Sequence, residues 1–98
     1  MSASEASADG CITMQRQGRV FLIGIDRPRK LNGFSPKMLT ELAEAFTAFE
    51  TDDEAWVGVL FAEGKNFTAG LELDKVAPVM RERGSVFPAG MVDPLMLR

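Results

Sequence analysis

The sequence predicts an α/β fold in which a β-hairpin leads into a strand-helix-strand unit. Three patterns support this prediction: two adjacent runs of β-favouring residues, one amphipathic helical stretch, and a third short apolar run after it. The chain has 98 residues, of which 46% are hydrophobic and 26% are charged, as in an ordinary globular protein. At this length it holds at most one domain.

The hairpin is predicted from residues 12–17 and 19–26, which are rich in β-favouring side chains and meet at Gly18. The second of these runs is apolar at nearly every position from 20 to 25. Such a run is typical of a strand that is covered on both faces. The basic segment that contains Pro28 then ends the strand.

A helix is predicted to begin after Ser35, whose hydroxyl suits the N-cap, with Pro36 at the first helical position. The apolar residues that follow recur every three or four positions and so form one buried face: Leu39, Leu42, Ala43, Phe46 and Phe49. Acidic residues crowd positions 51–54, next to the negative end of the helix dipole. The helix is therefore predicted to end near Glu50.

The next apolar run, residues 56–61, is predicted to be a buried strand. A strand, a helix and a second strand in this order predict parallel pairing with a right-handed crossover. A turn at residues 62–66 follows, and a second helix is predicted from about Glu72, with a kink or a restart at Pro78.

Composition excludes several classes of function. Histidine and tyrosine are both absent, which excludes Ser-His-Asp triads, Cys-His pairs and HExxH zinc sites. Cys11 is the single cysteine, so we expect no disulfide framework, no metal site and a cytoplasmic location. The net charge of −3 argues against a nucleic-acid partner, and the short apolar runs argue against a membrane span.

Two segments are candidate ligand sites, because each follows the carboxyl end of a predicted parallel strand. Ala69 and Gly70 precede a helix, where free N–H groups and the positive end of the helix dipole favour an anion or a polarised carbonyl. Arg27, Arg29 and Lys30 form a basic cluster suited to a phosphorylated ligand. The residues alone leave two alternatives open, namely a plain strand-to-helix turn and a solvated charged loop.

Two ordered motifs occur in these segments: Ile25-Asp26-Arg27-Pro28 followed by Lys30-Leu31-Asn32-Gly33-Phe34, and Gly64-Lys65-Asn66-Phe67-Thr68-Ala69-Gly70-Leu71-Glu72-Leu73. With the elements around them, from about Ile12 to Val79, they resemble the N-terminal part of the enoyl-CoA hydratase/isomerase, or crotonase, family. The resemblance implies a crotonase-like ββα spiral, of which this chain has only the hairpin, the helix, the parallel strand and the second helix.

The resemblance divides the chain into three parts. Residues 1–11 are expected to be a disordered tail, since they are small, polar and acidic. Residues 12–83 are expected to be the N-terminal part of a crotonase-like domain. Residues 84–98, which are rich in glycine and proline, are expected to be a loop that leads to a missing C-terminal portion.

The resemblance also implies an oxyanion hole, in which two backbone N–H groups hold the thioester oxygen of an acyl-CoA. Leu71 N–H would be the first donor, and one such donor lowers the barrier by about 3 kcal/mol. Glu72 stands in place of a usual aspartate, and we interpret it as charge that complements the helix dipole. The implied coenzyme A contacts lie in two groups, one before the first helix and one after the strand predicted at residues 56–61. They are Arg29, Lys30, Leu31 and Gly33, and then Ala69, Gly70, Glu72 and Leu73.

The first expectation for the reaction is hydration of a 2-enoyl-CoA, with coenzyme A entering as part of the substrate and no other cofactor. An enoyl- or dienoyl-CoA isomerase is an alternative, because residues 67–73 also resemble dienoyl-CoA isomerases. A non-catalytic CoA-binding or assembly fragment is a second alternative. The family's carboxylates and second donor correspond to positions beyond Arg98, so we expect the remainder of the subunit as a partner, in a homotrimer or hexamer.

Overall fold

The computed structural model describes residues 9–85 and 87–93. These residues form a sheet of three strands and two α-helices, with a 3₁₀ turn at Pro28–Lys30: β1 (Cys11–Gln17), β2 (Val20–Asp26), α1 (Pro36–Thr51), β3 (Val57–Ala62) and α2 (Leu73–Arg83). The strand order is β1-β2-β3; β1 is antiparallel to β2, and β3 is parallel to it. The predicted hairpin, helix, parallel strand and second helix are all present.

The hairpin between β1 and β2 closes with a two-residue turn. Gln17 pairs with Val20, which leaves Gly18 and Arg19 in the turn. The φ angle of Gly18 is +61°, a conformation that glycine adopts without a steric penalty. The prediction of a turn at Gly18 is confirmed.

Helix α1 has the predicted start. Ser35 Oγ accepts a hydrogen bond from Met38 N–H at 3.3 Å, and Pro36 is the first helical residue. The helix ends at Thr51, one residue after the predicted end. Its buried face forms most of the core together with the inward side chains of β2: Met38, Leu39, Leu42, Ala43 and Ala45 on α1, with Phe21, Ile23 and Ile25 on β2.

Gly58 allows α1 to approach the sheet closely. The rings of Phe21 and Phe49 lie 5.6 Å apart, and Phe49 also lies over β3. A Cβ atom at Gly58 would stand 3.2 Å from the Phe49 ring, closer than ordinary contact. The glycine inside β3 therefore serves packing between the helix and the sheet.

Strand β3 pairs with β2 as predicted, but it is not buried. Trp56, just before the strand, is 71% exposed, and Val57, Val59 and Leu60 are also exposed. Within residues 9–85 and 87–93, no further strand pairs with the outer edge of β3. The Trp56 ring instead stacks on the guanidinium of Arg19 at 4.6 Å. The prediction that residues 56–61 are buried is wrong, because no strand in the described part of the chain pairs with the outer edge of β3.

Helix α2 is continuous across Pro78, so the predicted restart does not occur. It ends at Arg83, and Gly84, whose φ is +73°, provides the left-handed cap common at helix ends. The described residues after Gly84 form no helix or strand; residues 86 and 94–98 of that segment lie outside the described residues. Neither described helix is long and apolar enough to cross a bilayer.

The predicted tail needs a correction at its end. Residues 1–8 lie outside the described residues. Asp9 O accepts a hydrogen bond from Ser35 Oγ at 2.6 Å, and Gly10 O accepts one from Lys37 Nζ at 2.6 Å. Cys11 already begins β1. Residues 9 and 10 are therefore held against the start of α1, and residue 11 is part of the sheet.

Candidate functional site

Two loops meet at the carboxyl end of the parallel strands. The first loop, residues 27–35, follows β2, and the second loop, residues 63–72, follows β3. Gly33 and Gly70 lie side by side where the loops meet; a Cβ atom built on Gly33 would stand 3.7 Å from Gly70 O. The two segments predicted as ligand sites are thus brought together.

A short parallel bridge between Phe34 and Leu71 joins the loops. Phe34 N–H donates to Gly70 O at 2.7 Å, and Glu72 N–H donates to Phe34 O at 2.9 Å. In this pattern the residue between the two bonded positions directs its own N–H away from the partner strand. Leu71 N–H therefore points away from Phe34.

Leu71 N–H donates no hydrogen bond to any described residue. Leu71 is half-buried, and its side chain packs against the core. Backbone donors in such surroundings normally have a partner, so this N–H is available to a ligand. It also lies two residues before α2, whose positive dipole end favours negative charge at this point. The arrangement can stabilise a carbonyl oxygen that gains negative charge.

An ion pair between Arg27 and Glu72 also joins the loops. Arg27 is only 4% exposed. Its Nη1 and Nη2 donate to Glu72 Oε1 at 3.3 Å and Oε2 at 3.4 Å, and Nη1 also donates to Gly33 O at 3.1 Å. The prediction that Arg27 belongs to a phosphate-binding cluster is wrong, because its guanidinium is buried against acceptors of the protein itself.

Glu72 precedes α2 as its N-cap residue, but its side chain makes no capping hydrogen bond. Partial burial alone would raise the pKa of Glu72. The hydrogen bonds and positive charge of Arg27 outweigh that effect, with smaller contributions from Lys75 and Lys30, so the pKa lies below its usual value. Arg27 therefore stabilises the charged form of this carboxylate.

The remaining candidate residues differ in exposure. Arg29 and Lys30 lie exposed on the 3₁₀ turn, and Ala69 is exposed on the second loop. Leu31 and Leu73 are exposed apolar side chains, one on each loop's flank. The exposed side chains are accessible to a ligand, whereas Gly33 is buried and is in place to pack the loops. Within the described part of the chain, no group of three side chains could hold a metal ion.

Asn32 is a site residue that the sequence analysis missed. It is 1% exposed, and its φ is +57°. Its Oδ1 accepts from Arg27 N–H at 2.8 Å, and its Nδ2 donates to Glu63 O at 2.7 Å and Asn66 O at 2.6 Å. An Asn-Gly pair in a loop is a signal for a left-handed backbone. The bonds to the second loop, however, depend on residues more than thirty positions away.

This chain is similar to known proteins in both sequence and structure. The family model described as Enoyl-CoA hydratase/isomerase matches residues 15–96. That range includes both loops and all of the predicted site residues.

Among named relatives, a Mycobacterium tuberculosis protein named as an enoyl-CoA hydratase is 42% identical over 66 residues, which are 67% of this chain and 20% of the relative. A Delta(3,5)-Delta(2,4)-dienoyl-CoA isomerase of Pyricularia oryzae is 36% identical over 68% of this chain and 24% of its own length. The chain thus spans between a fifth and a quarter of the length of these curated relatives.

A solved structure from Mycobacterium abscessus, described as an enoyl-CoA hydratase/isomerase, is similar with a TM-score of 0.77 and 42% identity. The match covers 85% of this chain and 32% of that structure. This likeness confirms the predicted crotonase-like α/β fold, of which the chain contains the N-terminal part.

Proposed function

This chain belongs to the enoyl-CoA hydratase/isomerase family, and from that premise we propose that it supplies one half of an oxyanion hole for an acyl-CoA thioester. The observation that supports the proposal is Leu71 N–H, which has no partner among the described residues although the residues on both sides of it are bonded to Phe34. A donor that is already in place stabilises a developing oxyanion by about 3 kcal/mol.

We propose hydration of a 2-enoyl-CoA as the reaction. A hydrogen bond from Leu71 N–H to the thioester oxygen draws electrons away from the double bond, so that the oxygen of water bonds to C3 as water gives up one proton to a base. Negative charge then collects on the thioester oxygen until C2 takes up a proton. The carboxylates that move these protons are not assigned to this chain, because Glu72, the carboxylate next to Leu71, is engaged by Arg27.

Isomerisation of a dienoyl-CoA is the second candidate, and the similarity to the Pyricularia oryzae isomerase favours it. Migration of a double bond conjugated to a thioester also places negative charge on the thioester oxygen. Leu71 N–H would therefore serve either reaction, and carboxylates elsewhere would decide between them. A CoA-binding fragment without turnover is the outcome if those carboxylates are lacking.

Coenzyme A would be held by the exposed residues of the two loops. Arg29 and Lys30 are exposed cations with no ion pair to a described residue, which suits the phosphates of the nucleotide. The exposed apolar side chains of Leu31 and Leu73 offer contact to the rest of the ligand. On family grounds the proposal includes a homotrimer or hexamer in the cytoplasm, completed by the remainder of the subunit.

The test is the substitution Leu71→Pro, which removes the proposed donor. We expect affinity for crotonyl-CoA, measured by isothermal titration calorimetry, to fall about tenfold, since one hydrogen bond and its alignment are lost. The control is Asp53→Pro in the turn Asp52–Ala55, where Ala55 N–H bonds to Asp52 O and position 53 favours proline.

Three outcomes separate the alternatives. Loss of the conjugated double bond of crotonyl-CoA, followed by ultraviolet absorbance, supports hydration. Binding without that loss, sensitive to Leu71→Pro, supports the CoA-binding fragment. Equal affinity in the chain and in both proline variants would overturn the proposed role of Leu71.

A further inference from the structure

We propose that Asn32 and Thr68 are positioning residues that fix the direction of Leu71 N–H. The inference rests on the proposed function of Leu71. It starts from the observation that the peptide group before Leu71 is held by a chain of hydrogen bonds that begins in the first loop.

The direction of Leu71 N–H is determined by the carbonyl of Gly70. Both atoms belong to one planar trans peptide group, so the N–H points opposite to the C=O. Gly70 O accepts from Phe34 N–H at 2.7 Å, and Gly70 has a φ of +95°, which favours glycine. Any contact that holds Gly70 therefore also aims Leu71 N–H.

Thr68 holds Gly70 from the other side. Its Oγ1 accepts from Gly70 N–H at 3.1 Å and donates to Asn32 O at 2.6 Å. Together with the bond from Phe34, this fixes both the N–H and the C=O of Gly70. The hydroxyl of Thr68 thus connects the backbone of Asn32 to the peptide group that carries the proposed donor.

Asn32 anchors this connection. Its side chain makes three hydrogen bonds, and all three partners are backbone atoms: Arg27 N–H, Glu63 O and Asn66 O. One oxygen acceptor and two N–H donors in a single planar group are what these partners require. The amide therefore sets the distance between the first and second loops, and Thr68 passes that spacing on to Gly70.

The test compares four chains of full length. Thr68→Val removes the hydroxyl with little change of shape, and Thr68→Ser keeps it. The matched control is Thr47→Val in α1, because Thr47 Oγ1 also donates to a carbonyl, Ala43 O at 2.7 Å, and accepts from an N–H, that of Val92 at 3.1 Å. The fourth chain is the unaltered protein.

Two ligands report on the donor. Crotonyl-CoA has the thioester carbonyl, and S-butyl-CoA, a thioether of equal chain length, lacks it. In the unaltered chain we expect about fivefold tighter binding of crotonyl-CoA, and a downfield shift of the Leu71 amide proton in ¹H–¹⁵N spectra with that ligand only. In Thr68→Val both effects should disappear, while affinity for S-butyl-CoA stays within about twofold.

The inference is supported if the preference for crotonyl-CoA is lost in Thr68→Val but retained in Thr68→Ser and Thr47→Val. A preference that survives in Thr68→Val overturns the inference and leaves the proposed function intact. A preference lost in both Thr68→Val and Thr47→Val also overturns the inference, because it would indicate general destabilisation. If the unaltered chain shows no preference, the proposed function fails and this inference with it. Should Thr68→Val not fold, Thr68→Ala replaces it. This variant also lacks the hydroxyl, places no methyl group where the hydroxyl was, and has to give the same result.

Discussion

The interface between β2 and α1 and the junction between the two loops are both tightly closed, but by different forces. At the interface, apolar side chains such as Ile25 and Leu39 are buried against one another without directional contacts. At the junction, Arg27, Asn32 and Thr68 make directional hydrogen bonds to backbone atoms. Burial tolerates small shifts, whereas hydrogen bonds fix orientation, and Leu71 N–H, which lies at the junction, donates to no described residue.

The largest expected effect tests the apolar side of this comparison. Leu39 is fully buried, so Leu39→Ala should lower the free energy of unfolding by about 3 to 4 kcal/mol through lost burial and the cavity that remains. Leu73→Ala, at an exposed helical position, should change it by less than about 0.5 kcal/mol. Urea unfolding followed by far-ultraviolet circular dichroism measures both, and similar losses would show that α1 does not carry the core.

The next effect tests the directional side. Asn32→Asp would place a carboxylate oxygen against Glu63 O and Asn66 O, which now lie 2.7 and 2.6 Å from Nδ2. We expect a loss of about 2 to 3 kcal/mol in the free energy of unfolding near pH 7. The loss should shrink as the pH falls, because a protonated aspartate can donate one hydrogen bond.

The control for this prediction is Asn66→Asp. The side chain of Asn66 is exposed and its backbone oxygen is unchanged by the substitution, so the free energy of unfolding should stay within about 0.5 kcal/mol. A pH-independent loss in Asn32→Asp would contradict the assignment of Nδ2 as the donor to the second loop.

The smallest effect concerns the ion pair of the junction. The pKa of Glu72 is lower in the folded protein than in the unfolded chain, so the pair stabilises the fold at neutral pH. That stabilisation is lost as the pH falls below the unfolded pKa of about 4.5 and through the folded one. Glu72→Gln should therefore cost about 1 to 2 kcal/mol at pH 7 and less in acid.

Urea unfolding at a series of pH values measures this difference. Glu44→Gln is the control, because Glu44 is an exposed glutamate of α1 with no ion pair to a described residue. If Glu72→Gln and the control lose the same stability at every pH, the pair does not hold the loops together.

Local features of the fold were predictable from the sequence because neighbouring residues determine them. The cap at Ser35, the turn at Gly18 and the spacing along α1 involve contacts within a few positions. The exposure of β3 was not predictable in this way, since it depends on what lies beside the strand. The described residues leave its outer edge open.

The candidate site shows the same division. The motif placed Leu71 before a helix, and its N–H is indeed without a described partner. Arg27 was misassigned because its partner, Glu72, lies 45 positions along the chain, and charge alone does not distinguish a buried cation from an exposed one. Asn32 was overlooked because a buried amide and a turn asparagine look alike in sequence.

Trp56 determines what optical measurements on this protein will report. It is the only tryptophan, and the chain has no tyrosine, so nearly all of the near-ultraviolet fluorescence comes from one ring that rests on Arg19 in contact with solvent. Its emission follows the contact between the hairpin turn and the start of β3. A fluorescence melt would therefore report directly on the rim of the sheet, and on the helical core only to the extent that the two unfold together.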